Sequence, residues 1–344
     1  MTQRITLTQF LGEDQRTIEG ATGDFSGLVG DVAIASKAIA HAVGKGALLG
    51  AGTRLCERLR AEASDLLLGA LAATTHLAAT LSPTGFRPVG DEGHRGKYLL
   101  AFDPLIGAAD LDINFQTGTI FSILRSPDPS RPAREEDFLQ PGRDVVCAGL
   151  VQYGGSTRFV LATDLGVDGF TLDREFGEYV LTNPDLALPP TTDEVALHAM
   201  GSRSWEPPVA RYVKEALAGA EGPRARDFRI RWAASLGAET YRILTRGGVY
   251  VHPHDSSTRN GGGHLHLLCA AQPVAWIAVR AGGDAITGRN SILDLVPSSL
   301  DQQVPLIFGS SDEVARLHEL HRAYIEGRDE DEAEPLFSSR SLFR

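Results

Sequence analysis

The residues best equipped for chemistry in this chain are histidines at alternate positions and one aspartate at a turn. His252-Pro253-His254 ends one apolar run, and His264-Leu265-His266 begins another, with a Gly-rich stretch at 260–263 between them. Alternation puts both members of each pair on one face of a strand, and hairpin pairing brings the two pairs together. Imidazoles gathered from adjacent strands are a frequent way to build a transition-metal site, although a hydrogen-bonded or surface role is the commoner reason for any one histidine. Asp103 closes the apolar run 98–102 and is followed by Pro104 and Gly107. A carboxylate at a strand end before a tight turn can present a metal ligand at a sheet edge; on pattern alone a plain strand–turn–strand corner is the commoner reading.

These residues need elements to hold them. The pattern predicts a polar helix over 5–22, an Ala/Gly-rich helix over 28–49 and a helix over 61–81. A loop and strand follow over 83–94, then a strand over 98–102, the turn 103–107 and a second strand running to 121. Residues 125–141 are rich in Pro and charge and read as a surface loop. Residues 144–162 and 169–181 alternate as strands of a second sheet, and 193–198 is a further strand. A helix is expected over 207–220, where Pro207 and Pro208 suit a helix start. Further expectations are a helix over 229–246, strands over 247–254 and 264–269 joined as a hairpin, and a helix over 273–281. The tail 328–344, acidic and then Ser/Arg-rich, lacks the apolar content to fold and is expected to be disordered. There is no internal repeat.

At 344 residues the chain can bury a large core. Its 33 Lys and Arg against 44 Asp and Glu leave a net charge of −11, which argues against a nucleic-acid partner. A local metal or arginine can still reverse the field in one pocket, so a phosphorylated substrate is compatible. Cys56, Cys147 and Cys269 show no CxxC spacing and imply a reducing compartment. No apolar leader or run near the length of a membrane span stands out, so a cytoplasmic protein without a membrane partner is expected.

The stretch 96–121, GKYLLAFDPLIGAADLDINFQTGTIF, resembles the signature of the class I fructose-1,6-bisphosphatases, roughly GKY-x-x-x-FDPLDGSSN-x-D…GTIF. The segments TLTQFLGEDQRTIEGATG (6–23), LQPGRDVVCAG (139–149), GFTLDREFGEYVLTNP (169–184), WEPPVARY (205–212) and the pattern over 282–310 also resemble family segments. The resemblance implies an α/β protein with the layered α/β/α/β/α sugar-phosphatase fold and two mixed sheets. It implies an N-terminal domain over 1–190 and a C-terminal domain over 191–328, with 329–344 as the tail. It also implies a homo-oligomer, a dimer or tetramer, acting on a small-molecule substrate.

The resemblance fits the chemistry less well than the fold. Asp103 is kept, but Ile106 stands where the family has a second Asp, and Ala108-Ala109 replace Ser-Ser. Arg58-Leu59-Arg60 fills the place of a KLD segment whose Asp helps activate water, so a cation sits where an acid was. Ala270 replaces the last metal-binding Glu. Asp91, Glu92 and Asp103 are left to hold one Mg²⁺, with Glu92 and Asp103 as residual catalytic groups.

The positions that hold the sugar's 6-phosphate in the family carry His198, His252 and His264 here, and His266 stands for an Arg near the other phosphate. Random drift would not favour one residue type at three convergent points. The expectation is therefore a rebuilt centre, with His198, His252 and His264 binding Zn²⁺ or Fe²⁺ and His266 in acid–base work. Arg231, matching an Arg that reaches in from a neighbouring subunit, and Trp232 would contact substrate. Thr22, Asp24, Lys97, Tyr98 and Arg125 match the family's regulatory nucleotide site. A catalytically silent regulator and a working fructose-1,6-bisphosphate 1-phosphatase are the competing readings.

Overall fold

The computed structural model describes residues 4–17, 23–90, 95–198, 202–231, 235–254 and 263–328. Three helices open the chain: α1 (Leu7–Thr17), α2 (Gly23–Lys45) and α3 (Gly52–Leu71). Eight strands follow: β1 (Leu77–Ser82), β2 (Gly85–Pro88), β3 (Tyr98–Ile106), β4 (Thr117–Arg125), β5 (Val145–Tyr153), β6 (Arg158–Thr163), β7 (Gly166–Asp173) and β8 (Glu178–Asn183). They form one sheet in the order β2-β1-β3-β4-β5-β6-β7-β8. All its pairs are antiparallel except β1 with β3. Period-2 alternation divides its faces. Leu100, Phe102, Phe121 and Ile123 pack toward α1, α2 and α3, while Leu99, Ala101, Ile120 and Leu124 pack toward the second half of the chain.

That half contributes β9 (Glu194–Leu197), β10 (Arg229–Arg231), β11 (Val249–His252), β12 (Leu265–His266), β13 (Asp284–Ile286), β14 (Gln303–Val304) and β15 (Leu306–Gly309). Five of them form a mixed sheet in the order β10-β9-β11-β15-β13, and β12 pairs with β14 as a two-residue ribbon. Helices α4 (Pro207–Leu217), α5 (Leu236–Arg246), α6 (Gln272–Arg280) and α7 (Ser311–Ile325) complete the chain. Helices α5 and α6 lie between the sheets in the main core, whereas α4 and α7 cover the far face of the second sheet. The result is the layered α/β/α/β/α arrangement with two mixed sheets that the resemblance implies.

Several local expectations are corrected. The expected helix over 61–81 is α3, which starts at Gly52 and stops at Leu71. Residues 77–82 form β1, buried along its whole length, and a strand buried on both faces has the same unbroken apolar pattern as a core helix. The strands within 144–181 continue the first sheet rather than building a second. The expected helix over 229–246 begins instead as β10, parallel to β9, and α5 starts only after Ser235 caps it by accepting from the Ala238 N–H at 3.4 Å. The expected hairpin between 247–254 and 264–269 does not form: β11 pairs with β9 and β15, β12 pairs with β14, and Leu267–Ala271 is a single π-helical turn.

The segment Gly23–Leu49 holds an 18-residue window of mean hydropathy 1.3 and so has the length and composition to cross a membrane, as a buried core helix also does. Here Leu28, Val29, Val32 and Ile39 of this segment are buried in the core shared with α3 and the first sheet. Its Asp31 accepts from the Thr74 hydroxyl and Lys37 pairs with Glu178 at 3.2 Å, anchoring its polar groups to the same fold. The expected disordered tail lies outside the described residues from 329 onward.

Candidate active site

The turn after β3 is built to hold one carboxylate. Gly107 sits at φ 77°, a left-handed conformation that glycine adopts at little cost, and it lets the chain leave β3 for a short 3₁₀ segment. Thr117 and Thr119, two apart on β4 and therefore on one face, reach back to the turn. The Thr119 hydroxyl donates to the Pro104 carbonyl at 2.8 Å and the Thr117 hydroxyl donates to the Ile106 carbonyl at 2.5 Å. The turn is thus fixed by hydroxyls that donate to its carbonyls.

Asp103 is 6% exposed. The Leu105 N–H donates to its Oδ1 at 3.1 Å. Arg60 reaches in from α3, and its Nη2 donates to Oδ1 at 3.1 Å and to Oδ2 at 3.0 Å. Burial pushes the Asp103 carboxyl above the usual carboxylate range, a larger effect than the opposing pull of Arg60 and the Leu105 N–H. Nearby Cys269 is fully buried; burial, with the Asp103 charge adding to it, pushes its thiol well up, so it is a neutral core thiol rather than a nucleophile.

His266 caps the π-helical turn: its Nδ1 accepts from the Cys269 N–H at 3.2 Å, and its Nε2 lies 3.9 Å from the Cys269 sulfur. Burial lowers its pKa, more than Asp301 raises it. A neutral ring with Nδ1 accepting carries its proton on Nε2. The geometry therefore leaves His266 a donor's role and takes the basic nitrogen from it.

The remaining histidines come from three elements. The rings of His198 and His252 are stacked, with centroids 3.9 Å apart and planes 16° from parallel. Those of His252 and His264 are 5.4 Å apart at 23°, and those of His198 and His264 are 6.5 Å apart. The expected Zn²⁺ or Fe²⁺ at these residues finds no support in this arrangement of rings. An imidazole binds a metal in its own ring plane at about 2.0–2.1 Å, and near-parallel planes stacked face to face share no such point. Among the described residues no group of three or more His, Cys, Asp or Glu is arranged to hold an ion. The Tyr250 hydroxyl lies 3.5 Å from His252 Nδ1, the long end of a hydrogen bond.

Other expected site residues fall in different places. Arg231 is exposed on β10 and its Nε donates to Glu194 at 3.3 Å. Asp91, Glu92, Trp232 and Thr22 lie outside the described residues. Asp24 gathers Lys97 at 2.5 Å and the His76 ring at 3.1 Å, and the bond to Asp24 raises the Lys97 pKa. Tyr98 is buried opposite Arg125 in the β3–β4 register. A phosphate at this second location would compete with Asp24 for Lys97. Sequence reasoning noted Arg60 as a cation out of place without naming its partner. It missed Thr117 and Thr119, whose alternation on a strand behind the turn was the available signal.

A family model for the fructose-1,6-bisphosphatase N-terminal domain matches residues 5–184, and one for its C-terminal domain matches residues 188–322. The chain belongs to the fructose-1,6-bisphosphatase family. It is 43% identical to a class 1 fructose-1,6-bisphosphatase of Methylacidiphilum infernorum, across 99% of this chain and 98% of the relative. It is 44% identical to one from Methylibium petroleiphilum, across 98% and 97%. The crystal structure of Leishmania major fructose-1,6-bisphosphatase in holo form superposes with a TM-score of 0.85 at 28% identity, covering 92% of this chain and 99% of that one.

The resemblance that led to this family also implied a divalent cation beside Asp103, and the residues described there do not fit one. Both Asp103 oxygens already face a guanidinium, the side chains of Ile106 and Ala270 carry no oxygen, and the Pro104 and Ile106 carbonyls each accept a threonine hydroxyl. A Mg²⁺ ion takes six oxygens, several of them water, but it still needs a carboxylate, and the guanidinium already on both Asp103 oxygens competes with it and repels it.

Proposed function

We propose that this chain is a fructose-1,6-bisphosphatase-family enzyme that takes a phosphorylated small molecule into the family pocket without the metal-dependent hydrolysis expected of the family. The observation that carries the reading is the Arg60–Asp103 pair, which puts a fixed cation on the carboxylate that would otherwise hold an ion. The chemistry left to the pocket is hydrogen bonding to the ligand, with the His266 Nε2–H as a donor and the stacked rings of His198, His252 and His264 forming the wall against the ligand. In this reading residues 1–190 and 191–328 each supply part of one site in a cytoplasmic homo-oligomer, and Arg231 and Trp232 contact the ligand. The test is phosphate release from fructose 1,6-bisphosphate with Mg²⁺, run beside an EDTA control. The reading predicts no release above the control; release that EDTA stops overturns it.

A second reading, a working fructose-1,6-bisphosphate phosphatase, is supported by relatives so named at 41 to 44% identity along nearly the whole chain. It requires Arg60 to leave Asp103 and requires Asp91 and Glu92 to supply an ion's other ligands. The same assay separates the two.

A further inference from the structure

Arg60 does more than neutralise Asp103. Both of its contacts to the carboxylate are made by Nη2 alone. The N–H groups on its Nε and Nη1 have no hydrogen-bond partner among the described residues, and its side chain is 41% exposed while that of Asp103 is 9% exposed. The guanidinium is therefore fastened to a buried carboxylate through Nη2, which leaves three N–H donors on Nε and Nη1 of a partly exposed side chain. These donors diverge in the guanidinium plane, and each can give a phosphate or carboxylate oxygen one charge-assisted hydrogen bond. The anchor is itself rigid, because the Leu105 N–H and the threonine-braced turn fix Asp103 in place.

We infer that Arg60 stands in for a metal ion, binding the anionic group of the ligand with the N–H groups on Nε and Nη1 while Asp103 holds Nη2. Ligand binding at this site is then independent of divalent cations. The inference rests on the proposed non-hydrolytic pocket and adds to it the group that receives the ligand. Asp103 becomes a positioning residue, acting through Arg60.

The experiment is calorimetric titration of the full chain with fructose 1,6-bisphosphate and, separately, with inorganic phosphate, each in EDTA and in Mg²⁺. The expected result is saturable binding of at least one probe with the same dissociation constant in both buffers. Arg60→Met should weaken it by about tenfold or more, the usual effect of losing a hydrogen bond to a charged group. Arg60→Lys keeps the charge but cannot hold Asp103 and reach the ligand through separate nitrogens, and should recover only part of the affinity. Thermal melts of both variants show whether the fold is intact, and Asp103→Asn, which leaves Arg60 in place but unoriented, gives a second route to the same loss. Binding that EDTA abolishes, binding that a folded Arg60→Met variant retains, or no binding of either probe overturns the inference. Silence in the phosphate-release assay would leave the proposed function standing in each of those cases, whereas Mg²⁺-dependent release would overturn that reading itself.

Discussion

Asp103 and Glu313 are two of the buried carboxylates closed by arginine, and they are closed in different ways. Glu313, on α7, is fully buried. Its Oε2 accepts from the Tyr212 hydroxyl at 2.7 Å, and its Oε1 accepts from Arg224 at 2.6 Å and from Arg226. The two guanidiniums are covered in turn, Arg224 by Tyr212 and Phe228 at 5.7 and 5.0 Å, and Arg226 by Phe228 at 4.8 Å. Asp103 has a single arginine, held through Nη2 alone, and no aromatic ring lies over it among the described residues. A cation packed against aromatic rings holds the fold together, whereas one held through a single nitrogen keeps donors for the ligand contact proposed above.

Changes at Glu313 should therefore be the most damaging to stability. Glu313→Ala leaves two arginines and a buried phenol without their acceptor, and breaking such a pair costs roughly 3–5 kcal/mol. Denaturant unfolding checks it; a loss below about 1 kcal/mol would mean the aromatic cover, not the ion pairs, carries that corner. Next is Glu206, a further committed carboxylate. Burial pushes its pKa up, but hydrogen bonds from His321 and Arg289 outweigh this and hold it at about 2. An acid with a lowered folded pKa stabilises the fold above the ordinary glutamate range, and that stability is lost as pH falls from the ordinary 4.5 toward about 2. Glu206→Gln should remove on the order of 2 kcal/mol at pH 7 and flatten the acid limb of the stability–pH curve.

Asp103 should behave in the opposite sense. Its pKa is raised, so the folded state binds a proton more readily than the unfolded chain. Stability then falls as pH rises from the ordinary aspartate range through the raised folded value, and Asp103→Asn should remove that slope while changing stability at pH 7 by no more than about 1 kcal/mol. A loss as large as that of Glu313→Ala would erase the distinction between the two pairs. The smallest effect belongs to Arg4 and Asp173, paired at 3.1 Å with the arginine 69% exposed. Arg4→Ala should cost less than about 0.5 kcal/mol, fading further with added salt.

How much of this was legible in the sequence depended on the kind of signal. The layer order followed from motifs spread along the chain, which specify a fold through many positions at once. The turn at Asp103 was legible because Pro104 and Gly107 fix backbone geometry locally. Strand β1 was not, since LAATLS is buried on both faces and shows no alternation. The pairing of His252 with His264 through a hairpin was misread: an alternating pattern fixes which face a residue takes but not which strand lies beside it. His264 nonetheless comes near His252, carried there by β12 and β14 rather than by β11. The partner of Arg60 was illegible because the pair spans 43 positions and depends on how α3 crosses β3.

The central claim is that a guanidinium has taken the place of a divalent ion at Asp103. It is tested most directly by measuring Mn²⁺ binding, from the electron paramagnetic resonance signal of the free ion, to the wild-type chain, to Arg60→Glu and to Arg60→Ala. The account predicts no stoichiometric site at Asp103 in the wild type, a gained site when Arg60→Glu sets a second carboxylate opposite it, and a weaker gain in Arg60→Ala. A wild-type protein that binds one Mn²⁺ and loses it on Asp103→Asn would contradict the account and return the working phosphatase to first place.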